Sequence, residues 1–305
     1  MTLTVYSPSP AAKGARKAGL MQVKDCMYTH VTTVSPQTLV STADQIMHDK
    51  RIRHLPVVTE QHTLVGMLTD RDVRRAEASD ALPMAAYELT YLLDKLHVQD
   101  IMTRDVVTVR SDTPIVEAGQ IFLQKKFGCL PVVRENNRLE GIITVADLLR
   151  LYIQQYATVE LMDIESMMQT QVITATPAMS LAEVQRLMRD HHIRHVPVVS
   201  GKHLVGMLTD RDIREASPSP ATTLTHGEIA YQMEMTPVKT CMTQDVMWLC
   251  PGITMANAAR ELLQRTIGCL PVVDKGTLVG IVTEMDCLRA FLHTAHRAER
   301  REMQP

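Results

Sequence analysis

A seven-residue phrase recurs four times in this chain, and an internal repeat of that kind constrains the fold more than any other feature. It consists of Gly, two apolar residues, Thr, two variable residues and Asp. The copies run from Gly66 to Asp72, Gly141 to Asp147, Gly206 to Asp212 and Gly280 to Asp286. Each follows a Pro-Val-Val run, at Pro56, Pro131, Pro197 and Pro271. The spacing is itself duplicated: Gly66 to Gly206 is 140 residues, and Gly141 to Gly280 is 139. Local sequence agrees. Ile52-Arg53-His54-Leu55-Pro56 matches Ile193-Arg194-His195-Val196-Pro197, and Gly128-Cys129-Leu130-Pro131 matches Gly268-Cys269-Leu270-Pro271. Copies one and three are one type; two and four are another.

Each copy reads as β-α-β-β-α over about 55 residues, too small to bury a robust core alone, so pairing is expected. A short β-branched strand opens it (Val31 to Val34, Val106 to Val109). A helix follows, with apolar residues at helical spacing: Ala43, Ile46 and Met47 in copy one, and Met255, Ala258, Ala259, Leu262 and Leu263 in copy four. Two strands come next, separated by polar turns such as Glu60-Gln61-His62 and Glu135-Asn136-Asn137. The Thr of the phrase closes the second strand, and its Asp falls in the first turn of a second helix, where either residue caps free amides. The inserts Ser79 to His97 and Ser217 to Val238 correspond, and the first carries a helix-like stretch, Tyr87 to Leu93. These spacings predict an α/β (α+β) chain. Its divisions are a flexible tail (1–20), one pair of repeats (21–156; repeats about 21–78 and 98–152), a second pair (157–292; repeats about 163–216 and 236–291) and a charged tail (293–305).

Bulk properties exclude some functions. A net charge of −2 argues against a dedicated nucleic-acid binder. No apolar run reaches the roughly 20 residues of a membrane span. Lys13, Arg16 and Lys17 are followed by no apolar core, so Met1 to Leu20 does not read as a secretory signal and a cytoplasmic location is expected. The six cysteines form no CxxC and read as reduced, buried thiols. The repeat-head Met27, Met102 and Met242, with Met47 and Met188 on helix faces, read as core. His191-His192-Ile193-Arg194-His195 aligns with Lys50-Arg51-Ile52-Arg53-His54, and an exchange of His for Lys or Arg argues against a metal site there. No nucleophile–base set, GxxxxGK[ST] or zinc-protease motif is present, which gives no support for catalysis.

The four phrases, the Pro-Val-Val strands and repeat heads such as Val98-Gln99-Asp100-Ile101-Met102-Thr103 resemble the CBS-domain family in its tandem form, the Bateman module, from about residue 21 to 291. The resemblance implies four CBS repeats in two pseudo-twofold modules. It also implies regulatory binding of adenosine compounds (AMP, ADP or ATP, or other adenosyl ligands such as S-adenosylmethionine) in clefts between paired repeats. By carry-over, Asp72, Asp147, Asp212 and Asp286 would accept ribose hydroxyls. Thr69, Thr144, Thr209 and Thr283 would hold the ribose-phosphate end. Thr33, Thr108 and Thr174, with Trp248 in the fourth copy, would lie near the base. No cofactor is required, and Mg would accompany ATP only. A regulated partner protein and a homodimer through the modules are implied.

Phosphates need cations, and the copies differ in supplying them. Copy one offers Arg51, Arg53, His54 and Arg71; copy three offers His192, Arg194, His195 and Arg211. Copies two and four have Gly-Cys at the same place, and the fourth adds Glu284 and Trp248. Two other readings stay open: a structural protein with vestigial clefts, whose Thr and Asp only cap helices, and nucleic-acid binding through the odd-copy arginines with Arg297, Arg300 and Arg301.

Overall fold

The computed structural model describes residues 21–77, 95–156, 162–217 and 224–302. The expected tail 1–20 and the stretch Tyr87 to Leu93 lie outside the described residues. The chain forms two compact units. One comprises the chain up to Val159 together with Phe291 onward, and the other spans Glu160–Ala290.

In the first unit, copy one consists of α1 (Val40–Lys50), β1 (His54–Val58), β2 (Leu64–Thr69) and α2 (Asp70–Glu77). Copy two has a short head helix α3 (Val98–Ile101), then α4 (Ile115–Lys125), β3 (Cys129–Arg134), β4 (Arg138–Thr144) and α5 (Val145–Tyr156). The second unit repeats the plan with α6 (Leu181–Asp190), β5 (His195–Ser200), β6 (His203–Thr209) and α7 (Asp210–Ala216). An insert helix α8 (His226–Met235) follows, then α9 (Met255–Arg265), β7 (Cys269–Asp274), β8 (Thr277–Thr283) and α10 (Glu284–Glu302). The predicted helix faces are the buried ones: Ala43 and Met47 in α1, and Met255, Ala258, Ala259 and Leu262 in α9.

All four hairpins are antiparallel and share one register. The phrase Thr lies opposite the residue before the Leu-Pro or Val-Pro pair (His54↔Thr69, Cys129↔Thr144, His195↔Thr209, Cys269↔Thr283). Each also carries a bulge between its two consecutive valines, as at Val57/Val58.

The expected opening strands are not strands. Each is reduced to one parallel bridge, Val34↔Val57 and Val109↔Val132 in the first unit, with Ala175↔Val198 and Leu249↔Val272 in the second. The cause is the proline of the hairpin. The Val34 amide donates to the Pro56 carbonyl (3.1 Å) and the Val58 amide to the Val34 carbonyl (2.9 Å). The next rung would need an amide donor from Pro56, and proline has none.

Pairing of repeats follows from what each lacks. The core around Leu55, Val57, Leu68 and Val73 of copy one is completed by Val98 and Met102 from the head of copy two. In the second unit Val238, from the head of copy four, and Met233 of α8 join the core around Val196, Val198, Leu208 and Ile213. Burying each such side chain fully is worth about 1.5–3 kcal/mol. The phrase glycine makes the approach possible. A Cβ on Gly141 would sit 2.9 Å from the Tyr28 carbonyl oxygen and 3.0 Å from Met27 Sδ, and one on Gly280 would sit 2.6 Å from Met168 Sδ.

The sequence divides the chain near residue 292, yet α10 runs unbroken to Glu302. Phe291 meets Tyr152 and Tyr156 edge-on (centroids 6.0 and 6.3 Å). Thr294 and Ala295, within the first turn past the boundary, are therefore buried with the first unit, while His296 and Arg297 are exposed.

Candidate functional site

The phrase builds a Thr–Asp cap four times, and the bond common to all four runs from the Thr amide to the Asp carboxylate. The amide of Thr69 donates to Asp72 Oδ2 (2.9 Å) and the Thr69 hydroxyl donates to the same oxygen (2.6 Å). The Asp72 amide donates back to Thr69 Oγ1 (3.3 Å). The corresponding amide-to-carboxylate bonds are 2.8 Å for Thr144–Asp147, 2.7 Å for Thr209–Asp212 and 2.9 Å for Thr283–Asp286. This is a reciprocal capping arrangement with Asp in the place usually held by Glu or Gln. It commits one carboxylate oxygen to the helix.

The second oxygen separates the two types of copy. Arg150 donates to Asp147 Oδ1 (2.7 Å) and Arg289 to Asp286 Oδ1 (2.8 Å). The Asp147 and Asp286 side chains are only 7% and 3% exposed. Gln169 Nε2 also reaches Asp286 Oδ1, at 3.4 Å. Both oxygens of each even-copy carboxylate are therefore engaged and covered, which argues against their expected role toward ribose hydroxyls. Asp72 and Asp212 are half-exposed. Among the described residues neither has a partner on Oδ1. Sequence reasoning missed Arg150 and Arg289, although an Asp-x-x-Arg spacing at i, i+3 on a helix signals such a pair.

Backbone bonds gather the odd-copy cations at the cap. The Asp70 amide donates to the Arg53 carbonyl (3.1 Å), and that of Asp210 to the Arg194 carbonyl (3.0 Å). Arg53, Arg71, Arg194 and Arg211 are all exposed. The histidines do something else. His54 Cε1 lies 3.4 Å from where a Cβ of Gly128 would be, and His195 Cε1 lies 3.1 Å from that of Gly268. Each thus packs against its partner repeat, closely enough at Gly268 that a Cβ there would be crowded, and at ordinary contact distance at Gly128. Burial holds the His54 pKa below its ordinary 6.5, against the pull of Asp70. His54 is thus less suited to supply charge to a phosphate than the exposed arginines beside it.

Which repeat head serves which phrase is a matter of backbone pairing. Met67 exchanges two amide bonds with Thr103 (2.9 Å each), and Ile142 does so with Tyr28 (2.9 and 2.8 Å). Ile281 pairs likewise with Gln169, and Met207 with Thr243. The head leading to Thr108 therefore lies beside the strand ending at Thr69, and the head leading to Thr33 beside the strand ending at Thr144. Thr174 is dealt to Thr283 and Asp286, and Trp248 to Thr209 and Asp212. Thr33, Thr108 and Thr174 are half-buried, while Trp248 is 45% exposed.

Cys129, Cys269 and Cys287 are buried, Cys26 and Cys241 half-buried and Cys250 exposed. Burial, with the nearby Asp147 and Asp286 charges respectively, pushes the Cys26 and Cys269 thiols up to about 12. Both are protonated packing groups at neutral pH.

The second unit also holds a cavity of about 560 Å³. Its walls are the start of β6 (Leu204, Val205, Gly206), the head of copy four (Gln244 to Val246, Trp248, Cys250, Pro251) and the β7–β8 turn (Val273 to Gly276). No described helix is long and apolar enough to cross a membrane.

Comparison with known proteins agrees with this geometry. The family model described as CBS domain matches residues 23–79, 98–154, 163–219 and 238–293. The chain is 31% identical over 269 residues to the uncharacterized protein MJ1225 of Methanocaldococcus jannaschii, covering 86% of this chain and 95% of that one. MJ1404 of the same organism is 29% identical over 279 residues, 88% of this chain and 61% of that protein. The crystal structure of MJ1225, proposed there as an archaeal homologue of γ-AMPK, superposes with a TM-score of 0.71 at 28% identity, over 89% of this chain and 100% of that one.

Proposed function

The chain belongs to the CBS domain family, and from that premise we propose that its odd copies bind adenine nucleotides (AMP, ADP or ATP) and report their level to a partner protein. The observation that carries this reading is the open carboxylate oxygen on Asp72 and Asp212, each beside exposed arginines at a helix start. A carboxylate accepting ribose hydroxyls makes charge-assisted bonds, stronger than neutral ones. Arginine suits the phosphates through its bidentate fork. The same Asp caps its helix with Oδ2 and meets ligand with Oδ1, so the cap and the grip are compatible. MJ1225 and its proposed relation to γ-AMPK support the nucleotide class.

A nucleotide held between two repeats biases their arrangement only by its differential affinity for the alternatives. That bias is the signal a partner would read. A melting panel with AMP, ADP, ATP with Mg, S-adenosylmethionine and cyclic dinucleotides tests the proposal. Ligand at about 100 times its Kd adds roughly 2.7 kcal/mol, a rise of several degrees in Tm. No shift with any adenine compound would leave a structural protein with empty clefts.

A further inference from the structure

We infer that the outer face of α8 is a docking surface for an amphipathic helix of a partner protein, one whose apolar stripe is flanked by lysine or arginine. The inference goes beyond the nucleotide reading and does not depend on it. α8 belongs to the insert between copies three and four, outside the residues 163–219 and 238–293 that the CBS domain model matches.

One face of α8 is packed. Ile229 and Met233 join the core of copy three, and the Ser217 hydroxyl donates to Met233 Sδ (3.3 Å). Arg186 of α6 donates to Glu234 Oε1 (2.7 Å), and the Ser180 hydroxyl donates to Glu234 Oε2 (3.2 Å). Thr225 caps the helix start, its amide and hydroxyl donating to Glu228 (2.7 and 2.8 Å). The helix is thus held in place without a partner, which lowers the ordering cost of binding one.

The other face is open. Tyr231 and Met235 are 67% and 63% exposed, the highest values of any large apolar residue described. At about 100° per residue, Tyr231 points away from Ile229 and Met233 and shares one stripe with Gly227 and Met235. Single exposed apolar residues are ordinary. An aromatic and a methionine one turn apart on the same stripe are the residue types that anchor interfaces. Gly227 adds room beside them. A Cβ there would meet only Thr225 Oγ1, at 3.9 Å, so no neighbour in the chain requires the glycine, although glycine weakens a helix.

Charge decides what covers the stripe. Glu228 and Glu234 lie about 60° to either side of Tyr231, and α8 carries no lysine or arginine. Arg186 offsets Glu234 through a solvent-exposed pair, a weak kind of bond that another cation can replace. Among the described residues no cation pairs with Glu228. Its bonds from the Thr225 amide and hydroxyl hold its pKa below the ordinary carboxylate value, so it stays ionised at neutral pH. A second α8 would bring acid against acid along the edges of the stripe, which disfavours another copy of this chain. The same acids repel the phosphates of a membrane or a nucleic acid. A helix with cations beside its apolar stripe meets both edges with opposite charge.

The test pans a displayed library of amphipathic helices on the immobilised full chain. The library fixes an apolar stripe and varies its flanks among Lys/Arg, Gln and Glu. Selected peptides are titrated by fluorescence anisotropy against the full chain and its variants, each first checked for an unchanged Tm. The expected result is enrichment of basic flanks and an affinity that falls as salt rises. Tyr231→Ala should weaken binding about tenfold or more. Glu228→Gln, which keeps the cap and removes the charge, should weaken it roughly two- to fivefold. Gly227→Leu should weaken it by filling the room beside Tyr231. Failure to enrich any helix, or selected peptides that bind Tyr231→Ala and Met235→Ala as well as the parent chain, would overturn the docking surface. Enrichment of acidic or neutral flanks would overturn the choice of partner. Sedimentation showing a dimer that Tyr231→Ala dissolves would give the face to a second copy instead. Melting shifts with adenine nucleotides are read on the same variants and should not change, so the fate of this surface and that of the nucleotide reading are seen separately.

Discussion

Asp72 and Asp147 occupy the same position of the same phrase, and their carboxylates face different conditions. Asp147 is covered and bonded by both Thr144 and Arg150, while Asp72 keeps one oxygen open. Substitution by Asn should separate the two roles. Asp147→Asn and Asp286→Asn remove the charge that the Arg partner needs, and each should cost about 1–3 kcal/mol of stability. The arginines are 40% and 48% exposed, so solvent screening keeps the loss below that of a fully buried pair. Asp72→Asn and Asp212→Asn should cost less stability and abolish nucleotide binding at their own clefts. Chemical unfolding and calorimetry on the four variants read both effects, and a ligand loss in the even variants without a stability loss would reverse the assignment. His54 adds a pH dependence. Burial lowers its folded pKa, so the unfolded chain binds more protons between the folded value and the ordinary 6.5. Stability is then full above about 6.5 and declines as pH falls toward the folded pKa. His54→Gln should flatten that part of the profile between pH 8 and 5, and an unchanged slope would show that other groups carry it.

At the scale of elements, the hairpins and helices were legible because their signals are local: Pro-Val-Val, polar turns, Thr at the strand end and apolar residues at helical spacing. The opening strands were misread because β-branched composition says nothing about whether a neighbour can donate. Pro56, on another element, decided that. The engagement of Asp147 and Asp286 was missed for a related reason: the phrase was read as seven residues, and the arginine that fills the second oxygen stands three residues beyond it. The packing of the histidines was not legible either, because charge type says nothing of the Gly128 and Gly268 that stand beside them. The phrase glycines give the sharpest element-scale prediction. A Cβ on Gly206 would meet first the flexible Met242 Sδ, whereas on Gly141 it would meet first a backbone oxygen of Tyr28. Gly141→Ala should therefore cost about 1–3 kcal/mol, the range for overpacking. Gly206→Ala should be rescued in part by Met242→Ala, while Met27→Ala should rescue Gly141→Ala little. Urea midpoints of the single and double variants measure this coupling. Equal rescue at both sites would mean that the backbone of the copy-one head yields.

For the whole molecule, the duplicated spacing fixed the architecture, since a chain with phrases at two alternating intervals can satisfy its cores only by pairing neighbours. It did not fix how many clefts work. Each unit combines one phrase whose carboxylate is open with one whose carboxylate is bonded and covered. On the proposed reading one grip per unit is open, which predicts a stoichiometry of two nucleotides per chain. The two clefts should also differ, because one is served by the head of Thr108 and the other by that of Trp248. Calorimetry with AMP should resolve two sites of unequal affinity. Asp72→Asn should remove one and Asp212→Asn the other, and the double variant should bind nothing. Binding of four equivalents would add the even clefts to the odd ones, and full binding by the double variant would place the nucleotides on the Arg150 and Arg289 side of the pseudo-twofold instead. In that case Arg150→Ala and Arg289→Ala should weaken binding through the lost cation. If the bonded carboxylates are closed as the geometry indicates, the same two substitutions leave the two original sites unchanged and free an acceptor oxygen in each even copy.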